Sequence, residues 1–121
     1  MPACPLPADE ALRQRTLDDM DLVDTPAEHY LDTLVRLTQE LAQVETVLIS
    51  LIDQDRQWFK ARIGIEVSET KRNVSFCGYA ILGEDTLMVS DARCDSRFED
   101  NPLVLNPVSY THLTLPTNRE V

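Results

Sequence analysis

The stretch Val47-Leu48-Ile49-Ser50-Leu51-Ile52, followed after Asp53-Gln54-Asp55-Arg56 by Gln57-Trp58-Phe59-Lys60-Ala61-Arg62-Ile63, decides the fold. The first run is short, β-branched and almost continuously apolar, the pattern of a strand covered on both faces, so it reads as a central strand. The four residues after it are polar and turn-prone. In the second run Trp58, Lys60 and Arg62 alternate with Phe59, Ala61 and Ile63, which is the period of a pleated strand. The two runs predict an antiparallel hairpin over residues 47–63.

Upstream, Thr25, Pro26 and Glu28 make a T-x-x-E capping box with proline at the first helical position, so a helix is expected to begin at Thr25. Leu31, Leu34, Val35, Thr38, Leu41 and Ala42 follow at three- and four-residue spacing and predict one apolar stripe packed on the sheet. Residues 1–24, with three prolines in the first seven positions, read as a leader arm or short helix. Downstream, the segment IEVSETKRNVSF is mixed and charged, CGYAILG predicts one or two helical turns closed by Gly83, and Thr86 to Val89 predicts a third strand. The stretch DARCDSRFEDNPLV reads as a long structured loop with a capping Asp95 and an Asn-Pro turn.

With 121 residues, 43% hydrophobic and 26% charged, the chain is sized and composed for one ordinary folded domain. Its formal net charge of −10 opposes phosphate backbones and anionic lipid, so neither nucleic acid nor membrane is an expected partner. There is no apolar run long enough to span a bilayer, and the opening MPACPLPADE lacks a basic leader and an apolar signal core, which predicts a cytoplasmic protein. Cys4, Cys77 and Cys94 lack metal-type pairing and suit a reducing compartment.

Taken together and in order, the DTP helix start, the SLIDQDRQWFKA hairpin, the SFCGYAIL turn, the VSDA strand end and the DSRFEDNPLV loop carry a resemblance. From about Leu22 to Val104 the chain resembles the GAF domains found N-terminal to bacterial diguanylate cyclases and sensor histidine kinases. The resemblance implies an α+β fold of the GAF-like, PAS-like kind: a central antiparallel sheet, an N-terminal amphipathic helix on one face, and loops with short helices closing a ligand pocket. Such domains continue past the NPLV loop with further strands and a helix into an output domain. After Leu105 this sequence departs from that pattern, and PVSYTHLTLPTNREV resembles the peptide read from sequencing-adapter DNA. The expected organisation is therefore a leader over 1–24, a partial GAF domain over 25–106, truncated after its third strand and lid loop, and a non-native, disordered tail over 107–121.

The resemblance and the residue types single out Trp58, Phe76, Cys77, Tyr79, Asp91 and Arg97 as candidate ligand-binding residues. Trp58 and Phe59 point to opposite faces of one strand, one towards a core and the other towards a pocket or solvent. Phe76 and Tyr79 would close the pocket, with the Tyr79 hydroxyl as a hydrogen-bonding handle, although similar domains often carry histidine at that position. Cys77 at a helix start invites a nucleophilic reading, but it has no C-x-x-C partner and no nearby histidine, so an inert buried thiol is favoured. Asp91, Asp95 and Arg97 read first as loop-tying groups and second as ligand-orienting ones; a hard cation would need more oxygens. No catalytic residue, metal or cofactor is expected, because phosphate-cradling, acyl-transfer and zinc motifs have no match. The expected function is a non-catalytic small-molecule sensor whose partners are an unidentified ligand, a C-terminal output domain and a second copy of the chain. The alternatives are a ligand-free dimerisation scaffold and a thiol-based free methionine sulfoxide reductase.

Overall fold

The computed structural model describes residues 4–102. The 107–121 tail and the 106/107 boundary lie outside the described residues. Among those residues run α1 (Glu10–Met20), α2 (His29–Ala42), β1 (Val47–Ile52), β2 (Arg56–Ile63), β3 (Glu69–Lys71) and α3 (Phe76–Ala80), with 3-10 turns at Arg72–Val74 and Ala92–Cys94. The expected α+β architecture is present: α2 lies against β1 and β2, and the strands form one antiparallel sheet in the order β1-β2-β3. The leader is a helix of 11 residues, stopped where Asp21 takes the left-handed conformation at φ 50°.

The hairpin forms where the sequence placed it, from Val47↔Ile63 to Ile52↔Gln57, but two features differ. Among the described residues β2 is the middle strand and β1 an edge, because β3 pairs on the far side of β2. Only Ile52 of β1 is buried, the other five residues being half-covered. The alternation in β2 also breaks: Ile49 pairs with Ala61 and Ser50 with Phe59, so Lys60 is an extra, bulged residue. Phe59, Lys60 and Ala61 are in consequence all buried.

The third strand is Glu69–Lys71 and not Thr86 to Val89, where Met88 makes only an isolated bridge. Three polar residues suffice because their partners lie across the ladder: Arg56 reaches Glu69 at 3.2 Å and Gln57 donates to the Thr70 hydroxyl at 3.0 Å. Helix α2 starts at His29 and not at Thr25. Thr25 cannot cap it, since its hydroxyl donates to the Leu22 carbonyl and accepts from Lys60 Nζ at 2.6 Å, while Glu28 holds an extended conformation. Lys60 Nζ also meets the Pro26 carbonyl at 2.7 Å and Glu28 at 3.1 Å, so a buried cation in the bulge pins residues 25–28 open.

The stripe of α2 is rotated from expectation as well. Val35 is buried and Leu31 half-buried, whereas Leu34, Thr38, Leu41 and Ala42 face outward with Leu37. The helix is apolar on more than one flank, and the sheet takes the flank centred on Val35. Gly64 then closes the far end of the hairpin at φ 85°; a side chain there would put Cβ 2.0 Å from the Glu45 carbonyl oxygen.

Candidate ligand-binding site

The segment that follows β3 is held by a compact set of caps. Ser75 is buried, and its hydroxyl donates to the Arg72 carbonyl at 2.8 Å and accepts from the Gly78 N–H at 3.0 Å, which starts α3. Phe76 and Tyr79, three residues apart on that helix, share a face. Both meet Phe98 edge-on, at centroid distances of 4.5 Å and 5.2 Å and interplanar angles of 86° and 84°.

Phe98 is fully buried with Val89 and Ala92, and Leu87 packs beside them. The turn that carries it closes through the Asp95 carbonyl, which accepts from the N–H groups of Phe98 and Glu99 at 2.9 and 2.8 Å. Asn101 is fully buried too, and its side-chain amide donates to the Val74 carbonyl at 2.9 Å, tying the end of the loop to the chain before α3. The helix and the loop therefore form one unit. Above it the Arg97 guanidinium stands 5.2 Å from the Phe98 centroid and pairs with Asp95 at 2.9 and 2.7 Å. That pairing lowers the Asp95 carboxyl, while burial pushes the Tyr79 hydroxyl up, so at neutral pH the tyrosine is a neutral donor.

Of the six candidate residues, the structure brings Phe76, Tyr79 and Arg97 together around Phe98. Cys77 turns the other way, beside the Ser50 hydroxyl of β1, and burial raises its thiol against a smaller opposing effect of hydrogen bonding to Ser50. Helix α3 thus covers the row that carries Ser50 and its partner Phe59. Trp58, one residue along β2 and opposite Leu51, falls in the alternate row and is half-buried there. Asp91 is also apart from the cluster. It caps the 3-10 turn through the Arg93 N–H at 3.0 Å and pairs with the Arg93 side chain at 2.9 Å, which lowers its carboxyl.

A concavity of about 380 Å³ lies between the start of α2 and β2, lined by Ala27, Asp32, Phe59, Lys60, Ala61 and Arg62 among others. None of the six candidates lines it. Its one buried cation, Lys60, already has three oxygen partners. Among the described residues no group of three or more His, Cys, Asp or Glu side chains converges as a metal site would require. No described helix is long and apolar enough to cross a membrane.

The residue that joins α3 to the loop, Phe98, is not singled out by the sequence, although it sits in the SRFEDNP run as one apolar position among charges. Lys60 was missed for a different reason. A lysine in an alternating strand reads as solvent-facing, and only the bulge turns it inward.

Residues 26–117 match the profile of the GAF domain family, which is well over half of the chain. The chain belongs to the GAF domain family. The match starts after α1 and runs to residue 117, beyond the described residues. A cyclic di-GMP phosphodiesterase of Pseudomonas aeruginosa is 41% identical over 100 residues, 83% of this chain. The chain spans 17% of that relative's length, so the shared part is one module of a much longer protein.

Proposed function

We propose that this GAF domain is the sensory module of a bacterial signalling protein, binding a small molecule where α3 meets the Arg97–Phe98 loop and passing occupancy to an output domain. The observation that supports it most is the Phe76–Tyr79–Phe98 cluster with Arg97 over it, mounted on a five-residue helix and a turn. Aromatic edges, one neutral hydroxyl donor and one guanidinium suit a planar ligand with an anionic group. Such a ligand must compete with Asp95 for Arg97, and that exchange is a means of moving the loop. The relative's name favours an output domain that breaks down a cyclic dinucleotide over the cyclase and kinase outputs suggested by the motif resemblance. The module itself carries out no chemistry and works in the cytoplasm, with its thiols reduced. A thiol-enzyme reading gains nothing from Cys77, whose raised thiol is shifted the wrong way for a nucleophile.

Isothermal titration of the chain against cyclic nucleotides and small metabolites tests the reading. Saturable binding that weakens about tenfold or more in Arg97→Ala is expected, as for a lost charge-assisted bond. Silence across a broad panel sinks it. A second reading, a dimerisation scaffold, has its own observation: Tyr30, Leu34, Leu37 and Leu41 are exposed on α2 at 4-3-4 spacing, the spacing of a helix-pairing seam. Sedimentation equilibrium showing a monomer at every concentration removes that version.

A further inference from the structure

Helix α1 is fastened in an unusual way for a surface helix. Of its side chains only Leu17 is buried, and Leu12 and Met20 are 61% and 56% exposed, so little apolar area holds it down. Its holding contacts are polar. Glu10 meets Arg72 at 2.6 and 3.0 Å and Arg13 at 2.8 and 2.9 Å. Arg13 donates onward to the Ile52 carbonyl at 2.5 Å, and Gln14 donates to Asp53 at 2.7 Å, both at the turn of the β1–β2 hairpin.

Arg72 is the receiving side of this latch. Its side chain is 3% exposed, it reaches the Asp53 and Gln54 carbonyls only at 3.3 and 3.4 Å, and its Nε has no hydrogen-bond partner among the described residues. Glu10 is the carboxylate that this buried guanidinium has in hand, so losing it leaves a cation poorly compensated. The chain before α1 reaches further. Cys4 is 7% exposed, and its sulfur lies 3.0 Å from where a Cβ on Gly78 would stand, a closeness that the glycine in α3 permits.

We propose that residues 4–20 are a releasable strap, latched across the hairpin turn by Glu10 and Arg72, whose leading end lies on α3 and covers it at Gly78. The strap opens as a unit, because its anchors are few, polar and clustered, while the sheet beneath keeps its own apolar contacts. Its opening uncovers Cys4 and Gly78 together. That the covered helix belongs to a ligand-binding site rests on the function proposed above; the strap itself rests only on its contacts.

Maleimide labelling of the full chain, resolved by peptide mass spectrometry, tests the strap with three internal thiols. Cys94 is exposed and sets the unprotected rate, Cys4 reports the strap, and Cys77, on the side of α3 that faces β1, reports separation of that helix from the sheet. Glu10→Gln is expected to speed Cys4 labelling about tenfold, with Cys77 and Cys94 unchanged. Gln14→Ala, which leaves Arg72 paired, is expected to speed it by a smaller factor. Cys4 labelling unchanged in Glu10→Gln, or Cys4 and Cys77 accelerating together, overturns the proposal. No ligand enters the measurement, so a silent titration leaves this result standing and the reverse is equally true.

Discussion

Phe98, fully buried, is held by edge-on contacts with two half-buried aromatic rings, whereas Glu10 is held by four charge-assisted hydrogen bonds at a site one-fifth exposed. Both fasten the chain around α3, one through its contacts with the loop and the other through the strap. The first kind of fastening scales with buried area and ignores pH and salt near neutrality. The second depends on charge state and screening and so can be switched by solution conditions that leave the first untouched.

The largest effect is expected where the fastening is apolar. Phe98→Ala removes the ring that Phe76 and Tyr79 both touch and leaves a cavity beside Val89 and Ala92. It should lower unfolding free energy by about 3–5 kcal/mol, read from urea denaturation. A loss under about 1 kcal/mol, the size of a surface change, breaks the comparison by showing that α3 and the loop are not packed as a unit.

An intermediate effect is expected at Lys60, which is buried like Phe98 yet bonded like Glu10. Lys60→Met keeps the aliphatic stem and removes the cation. The Glu28 carboxylate, 39% exposed, can regain water, so the loss should be roughly 1–3 kcal/mol and smaller than that of Phe98→Ala. Amide hydrogen exchange should rise first at Leu31 and Asp32, whose N–H groups bond the Glu28 carbonyl, because residues 25–28 are the ones the ammonium pins. Uniform acceleration across the sheet instead would place Lys60 with the global core.

The same contrast explains what could be read in advance. Residues 47–63 were legible as a hairpin because the apolar run and the alternation are local, and their register follows from a short turn. The start of α2 was not legible. Its T-x-x-E box is locally sound, but Lys60, 35 residues away, competes for Thr25. Glu69–Lys71 was equally hidden, since a strand of three polar residues owes its pairing to Arg56 and Gln57 across the ladder. In the candidate site, Phe76, Tyr79 and Arg97 were visible through family resemblance. Phe98, their common partner, owes its importance to tertiary packing that no spacing along the chain encodes.

The smallest effect is a matter of acid. Hydrogen bonds from Arg13 and Arg72 hold the Glu10 carboxyl down at about 2, from an ordinary 4.5. A carboxyl held down in the folded state contributes stability that is fully present above its ordinary value and lost as pH falls through the folded one. The Glu10 contribution should therefore be complete at neutral pH and fade between about pH 4.5 and about pH 2. Asp95 is lowered by Arg97 in the loop and fades in the same direction, so the wild-type curve alone does not separate the two regions. The difference between wild type and Glu10→Gln does. At neutral pH it should be roughly 1–2 kcal/mol, allowing for screening at a partly exposed site, and it should shrink towards zero across that acid window. A difference that stays constant down to about pH 2 would mean that Glu10 acts through shape and not through charge, which would erase the contrast with Phe98 at its source.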